Sequence, residues 1–171
     1  MIRFSSITRN APALLVMLIS AALSAFIVSC SDDDGPVQPL YEFADLETQT
    51  LALVNQHRAS KSLGQLTQNA VIAEQARNHS INMAGKSVKF GHDGFDDRVT
   101  VIKNTIPLAS AGENVAMLSG LSDPAQSALN GWLNSAGHRA NIEGDYNLTG
   151  MGIAKSAEGA LYFTQIFVKS R

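Results

Sequence analysis

Cysteine is almost absent from this chain of 171 residues: Cys30 is the only one. Whatever follows residue 30 must therefore fold without the disulfides that hold many small secreted domains together. A globular part of roughly 130 residues can bury about two thirds of its unfolded surface, which is enough for a core. We expect apolar packing and hydrogen bonds to stabilise this domain.

Several other features are also missing. The 13 Lys and Arg residues are outnumbered by 15 Asp and Glu, giving a net charge of -2, and this balance argues against a nucleic-acid partner. The sequence has no phosphate-binding glycine-rich loop and no paired-cysteine metal motif. It also has no internal repeat, so the length beyond the N-terminal region predicts one domain.

The N-terminal 30 residues have the pattern of an export signal. Arg3 and Arg9 precede an apolar run over residues 13–28, which ends at Ser29-Cys30. The position of Cys30 resembles a lipobox, so residues 1–29 are predicted to be a lipoprotein signal peptide and Cys30 the site of lipid attachment. A membrane-spanning anchor is the alternative, because about 17 to 25 apolar residues can cross a bilayer.

The residues after the cysteine favour the lipoprotein interpretation. Ser31-Asp32-Asp33-Asp34-Gly35-Pro36 is acidic and turn-forming, as expected for a tether. We therefore divide the chain into a signal peptide at 1–29, a lipidated Cys30 with a flexible acidic linker over 30–40, and a globular domain at 41–171. The protein is expected in a bacterial cell envelope, bound to a membrane through its lipid; the acidic run also resembles the export tags of some surface-exposed lipoproteins.

The periodicity of the globular part predicts three helices. The first covers about 43–60, with Leu46, Leu53, Val54 and His57 on one side. The second starts after Asn69 as cap and ends near Gly85. The third starts with Asp123 as cap and Pro124 at the first position and is expected to stop at Gly137, which places His138 just beyond its end.

Three strands are predicted between and after the helices. Residues 116–118 form a short one, and 148–154 and 161–168 form longer ones joined by a hairpin at Glu158-Gly159. The last strand alternates between two sets of buried-type residues, as in a sheet covered on both faces. Composition and periodicity thus predict a mixed α and β (α+β) domain.

Polar side chains able to bind a ligand occur on three separate segments: His92-Asp93-Gly94-Phe95-Asp96-Asp97-Arg98, Gly112-Glu113-Asn114-Val115-Ala116, and Ser135-Ala136-Gly137-His138-Arg139. We expect the fold to assemble them into one cavity lined by His92, Glu113 and His138. Asn114 is expected to hold backbone groups of a loop, and Arg98 and Arg139 to form ion pairs. His57 and His79 are interpreted as packing residues.

These segments, together with Leu53 to Arg58 and Tyr162 to Phe167, resemble the bacterial branch of the CAP superfamily, also called the SCP-like extracellular domain, over residues 43–169. The resemblance implies a three-layer αβα sandwich. It also implies a cleft with two histidines and two acidic residues, in which His92 and Glu113 take the first histidine and first glutamate positions. The chain departs from the family pattern at two positions: Trp132-Leu133-Asn134-Ser135 lacks the second glutamate, and Tyr162 stands where the second histidine would be. His138 supplies an imidazole from another segment.

Two functions are considered. The first, which the family resemblance favours, is a non-enzymatic binding module whose cleft holds a lipid-like molecule, a metal ion, or an envelope or host-surface partner. The second is a metal-assisted hydrolase of peptide or envelope substrates. Two imidazoles and a carboxylate suit a divalent ion such as zinc, and they also suit acid and base catalysis.

Overall fold

The computed structural model describes residues 42–171, so the predictions for the signal peptide, Cys30 and the linker lie outside the described residues. Within this range the chain forms five helices and four strands. Helices α1–α5 span Ala44–Ser60, Ala70–Ala84, Phe95–Lys103, Pro124–Asn134 and Ala136–Ile142, and strands β1–β4 span Thr67–Gln68, Leu108–Leu118, Leu148–Lys155 and Leu161–Ser170.

The four strands form one sheet in the order β1-β3-β4-β2. The short β1 runs parallel to β3, whereas β3 and β2 both pair with β4 in antiparallel fashion. The predicted hairpin connects β3 and β4, and Gly159 in its turn has φ +87°, a conformation that favours glycine. Strand β2 therefore lies at an edge of the sheet.

Helices cover both faces of the sheet, which confirms the predicted αβα sandwich. On one face α1 and α4 enclose a core that includes Val54, Trp132 and Phe163. On the other face α2 and α3 enclose a second core that includes Ile72 and Ile102. Because β4 is buried on both faces from Tyr162 to Val168, the predicted two-sided packing of this strand is also confirmed.

Helix α2 lies unusually close to β3. A Cβ atom at Gly150 would come within 2.2 Å of the Ala73 backbone nitrogen, and one at Gly152 within 2.1 Å of the Arg77 backbone nitrogen. Glycine is thus required at both positions for the helix to pack on the strand. The ends of α2 match the prediction, because the Asn69 side chain accepts hydrogen bonds from the first turn and Gly85 follows the last residue.

Helix α1 also matches its predicted range, but its buried side is more polar than expected. Glu47 and Arg58 are 4% and 2% exposed. Arg77 donates to both carboxylate oxygens of Glu47 at 2.7 to 3.1 Å. Arg58 donates to the carbonyl oxygens of a loop that follows α5, among them Gly144 at 2.9 Å. Charged residues can be buried in this helix because each has a partner.

The third predicted helix begins correctly and ends earlier than expected. The Asp123 side chain accepts from the Gln126 backbone N–H, as a cap should. The helix stops at Asn134, however, because Ser135 is extended, and Gly137 lies inside the separate helix α5. His138 is therefore inside a helix, and its predicted position beyond a helix end is wrong.

Strand β1 and helices α3 and α5 were not predicted. Strand β2 was predicted only in part, because it begins eight residues before the predicted residue 116. The N-terminal half of β2 contains small and polar residues, so its strand conformation comes from pairing with β4 rather than from local propensity. As a result Glu113 lies in the middle of a strand. None of the helices within residues 42–171 has the length and apolar character needed to cross a membrane.

Candidate functional site

The Gly-Glu-Asn segment of β2 is the centre of the site. A Cβ atom at Gly112 would lie 2.7 Å from Asn141 Oδ1, so glycine allows α5 to approach the strand. Glu113 points toward the α2–α3 face and Asn114 toward the α5 face, because successive strand residues alternate. The three residues thus connect the edge strand to the segments on both sides of it.

Arg98 of α3 holds the Glu113 carboxylate. Its Nε donates to Oε2 at 2.9 Å and its Nη2 donates to Oε1 at 2.9 Å, which is a bidentate arrangement. The Glu113 side chain is 1% exposed and that of Arg98 is 11% exposed. Arg98 Nη1 also donates to the Asp93 carbonyl oxygen at 2.9 Å. The expected ion pairing of Arg98 is confirmed, and its partner is the candidate site residue itself.

His92 is the second partner of this carboxylate. Its Nδ1 lies 2.9 Å from Glu113 Oε1. Since a carboxylate only accepts, Nδ1 is the donor in this contact, and Nε2 is the ring nitrogen that the carboxylate does not engage. The His92 side chain is 49% exposed. Glu113 is therefore a buried support that fixes the orientation of an accessible imidazole.

His138 reaches the same place from α5. The Asn114 side chain donates to the His138 carbonyl oxygen at 3.0 Å, which confirms the backbone-holding role predicted for this asparagine. Asn141 in turn donates to Asn114 Oδ1 at 2.9 Å and to the Glu113 carbonyl oxygen at 3.1 Å. This amide pair fastens α5 to the edge strand and so places the half-buried imidazole.

The two imidazoles are neighbours. The ring centroids of His92 and His138 are 6.1 Å apart, with the ring planes inclined by 54°. Burial and the nearby His92 both lower the pKa of His138, burial having the larger effect. His138 is therefore neutral at neutral pH, and it stands beside the imidazole that donates to the compensated Glu113 carboxylate.

His79 holds the loop next to His92, although the sequence predicted only a packing role for it. It is 2% exposed on α2, and its Nε2 lies 2.8 Å from the Gly91 carbonyl oxygen, next to His92. Gly91 has φ +150°, in the region that favours glycine. Burial is the main cause that lowers the pKa of His79. The neutral ring donates to the loop and holds it in place.

Other predicted residues lie elsewhere. His57 pairs with Glu143 at 2.9 Å. Arg139 donates to the Leu133 carbonyl oxygen at 2.9 Å, where an ion pair was expected. Tyr162 stands where the family resemblance places a second histidine. It lies near the end of β2, and its ring contacts that of Phe90, with the centroids 6.2 Å apart.

The residues do not form the three-ligand metal set expected from the sequence. Within residues 42–171 no group of three or more His, Cys, Asp or Glu side chains is placed to hold a metal ion. Both Glu113 oxygens already accept from Arg98, and a cation at this carboxylate would face the guanidinium charge. The remaining donors are the two imidazoles, fewer than the three protein ligands of typical catalytic zinc sites.

Comparison with known proteins finds a matching family model and a similar bacterial protein. The family model described as "CAP: Cysteine-rich secretory protein family" matches residues 51–167. An uncharacterized membrane protein of Bacillus subtilis, YlbC, is 35% identical over 130 residues, which is 72% of this chain and 34% of that protein. The chain thus spans about one third of the length of this relative.

Two solved structures show the same fold. An extracellular SCP-domain protein of Bacillus anthracis has a TM-score of 0.60 and 29% identity, covering 80% of this chain and 45% of that one. An outer surface protein of Borrelia burgdorferi has a TM-score of 0.65 and 18% identity, covering 76% of this chain and 96% of that one. The second is similar in fold alone.

Proposed function

The chain belongs to the CAP, or cysteine-rich secretory protein, family, and from this premise we propose that it is a lipid-anchored binding module of the bacterial cell envelope. Cys30 carries the lipid, and the neighbouring imidazoles of His92 and His138 contact the ligand. The B. burgdorferi protein of the same fold is an outer surface protein, which supports a location outside the cytoplasm.

One observation carries the proposed binding role. Two accessible imidazoles from different segments stand 6.1 Å apart, and each is held by a buried network: His92 by Glu113 and Arg98, and the α5 backbone at His138 by Asn114. Fixing side chains before the ligand arrives reduces the entropy lost on binding. Imidazole rings can donate and accept hydrogen bonds and can bind metal ions, so the pair suits a polar headgroup, an envelope polymer or a metal ion.

Catalysis is less well supported by this geometry. A general base must be able to take a proton from the substrate, and a metal ligand must offer a free lone pair. Both carboxylate oxygens of Glu113 already accept hydrogen bonds from Arg98, and Oε1 also accepts from His92. We therefore do not extend the proposal to a metal-assisted hydrolase, the alternative that the sequence offered.

The four histidines of the chain provide the test. Imidazole resonances of the full chain in detergent are recorded by NMR and assigned with single His→Gln variants. Zinc, palmitate and peptidoglycan fragments are then added separately. At least one of these probes should shift the His92 and His138 resonances together and leave those of His57 and His79 nearly unchanged. The proposed binding site is wrong if every probe leaves His92 and His138 unshifted, or if all four histidines shift alike.

A further inference from the structure

Apolar side chains are exposed at one end of the sheet. Among the large hydrophobic residues of the described part, four are well exposed: Phe90, Met117 and Leu121 by 49 to 50%, and Val101 by 44%. Met117 pairs with Tyr162 across β2 and β4, and Tyr162 contacts Phe90. Phe90, Met117 and Tyr162 therefore lie together. We call this end of the sheet, with Phe90, Met117 and Leu121, the apolar end.

A recess extends the apolar end across the other face of the sheet. Next to Met117, Leu118 pairs with Leu161 at the close of the β3–β4 hairpin. A pocket of about 240 Å³ opens beside this pair, with walls formed mainly by apolar side chains. Its lining includes Phe43, Leu121 and Lys155. Exposed apolar side chains thus flank both faces of the same sheet end, which is uncommon for a surface that meets only water.

The start of the domain lies at this end. Phe43, which lines the recess, is the residue that precedes α1. Only 11 residues separate Cys30 from Glu42, so covalent geometry limits the distance between them to about 40 Å. A lipid on Cys30 would therefore keep the apolar end within reach of the bilayer that holds the lipid.

The charges around the apolar end are mixed. Lys86 pairs with Glu158 in the hairpin turn, and Lys155 stands at the recess. Lys89 precedes Phe90, and the acidic Glu42 and Asp123 lie close to the recess residues in sequence. Attraction to a strongly charged partner is thus not expected. Lysines beside exposed apolar side chains suit a lipid interface, where the stem is buried and the ammonium stays in water.

We propose that the apolar end docks on the surface of the lipid bilayer, with Phe90, Met117 and Leu121 entering the interface. This inference rests on the proposed lipid anchor in one respect: the tether makes docking intramolecular. Attachment through a short chain segment gives an effective concentration in the millimolar range, so three partly exposed side chains suffice although they would bind a bilayer weakly by themselves.

Tryptophan fluorescence can test the docking. Trp132 is the only native tryptophan and is 1% exposed, so it supplies a constant background. Leu121→Trp places a probe at the apolar end, and Val101→Trp places a matched probe on α3, at a similar exposure but outside this end. Both full-length variants are reconstituted into phosphatidylcholine vesicles with and without brominated acyl chains, which quench a tryptophan that touches them.

Bromine should quench the added fluorescence of Leu121→Trp several-fold more than that of Val101→Trp. Adding Phe90→Ser and Met117→Ser to the Leu121→Trp chain should remove most of this difference, since the remaining apolar surface is too small to hold the end at the bilayer. Equal quenching of the two probes, or no quenching of either, would overturn the docking.

Failure of the anchor and failure of the docking give different results. Flotation of wild-type and Cys30→Ser chains with the vesicles reports on the anchor alone. If flotation depends on Cys30 but the fluorescence of Leu121→Trp is not quenched, the chain is anchored but not docked, and the inference is wrong. If Cys30→Ser makes no difference to flotation and Leu121→Trp is still quenched at millimolar lipid, docking stands and the lipid anchor does not.

Discussion

Arg98 binds both carboxylate oxygens of Glu113, the residue at the centre of the candidate site, and shields it almost completely from solvent. His92 therefore meets a carboxylate whose charge is already compensated. In this chain the Glu113 carboxylate orients His92: the buried Glu113–Arg98 ion pair supports the exposed imidazole ring. This arrangement leads to the first prediction.

Glu113→Gln should destabilise the domain by about 3 to 5 kcal/mol, because Arg98 would remain nearly buried without a counter-charge. Urea unfolding of the variant measures the loss. Glu158→Gln is the matched control: its carboxylate is exposed, its pKa is lowered to about 2 mainly by Lys86, and its replacement should barely move the unfolding midpoint. Equal midpoints for the two variants would show that the Glu113–Arg98 pair does not stabilise the fold.

His79→Phe should loosen the loop before α3 while leaving α2 folded. The phenyl ring fills the space but cannot donate to the Gly91 carbonyl oxygen, and the lost bond should cost about 1 kcal/mol. Hydrogen exchange should become faster over residues 88–94, and the NMR signal of His92 should shift. His57→Phe, on the other face, should leave that segment unchanged; if it has the same effect, the loop does not depend on His79 specifically.

Stability should fall as the pH drops below about 6.5, before most carboxylates titrate. The fold lowers the pKa of His79 and of His138 below the usual 6.5, chiefly by burial. The folded state then binds fewer protons than the unfolded state in this window, so the stabilisation is present above the unfolded pKa and is lost as the pH falls through it toward the folded value. Urea midpoints measured across this range should decline less steeply for His138→Gln than for the wild type.

Gly152→Ala should prevent α2 from packing on β3. The added methyl group would lie 2.1 Å from the Arg77 backbone nitrogen, and backbone cannot yield as a flexible side chain can. We expect a loss of more than about 4 kcal/mol or failure to fold. Gly131→Ala in α4 meets no atom within 4 Å and should stabilise the helix by about 0.5 to 1 kcal/mol. Thermal unfolding of both variants checks the contrast.

Cys30→Ser should abolish lipid attachment, because the chain has no other thiol. Labelled palmitate should then be absent from the protein, and unprocessed precursor should accumulate or the protein should be released. A variant with Ser31→Ala, which keeps the thiol, should be labelled like the wild type. Persistent labelling of the Cys30→Ser chain would rule out the lipobox.

The sequence was most informative where local signals are strong. Asn69 and Asp123 marked two helix starts correctly, since capping depends on neighbouring backbone groups. The alternation in β4 indicated a strand buried on both faces, which the structure confirms. Composition excluded disulfides beyond residue 30 in the same way.

Tertiary structure decided what depends on contacts between distant segments. The polar residues from Ser110 to Asn114 give no local strand signal and form β2 because β4 offers its edge. No local signal predicts the break at Ser135, which places His138 inside α5. No local signal predicts that the Arg98 guanidinium pairs with Glu113, which makes a three-ligand metal site there unsuitable. Residue types and helix caps can be identified from the sequence alone. The chemical role of a carboxylate depends on the charged group that the fold places next to it, and this neighbour comes from a distant segment.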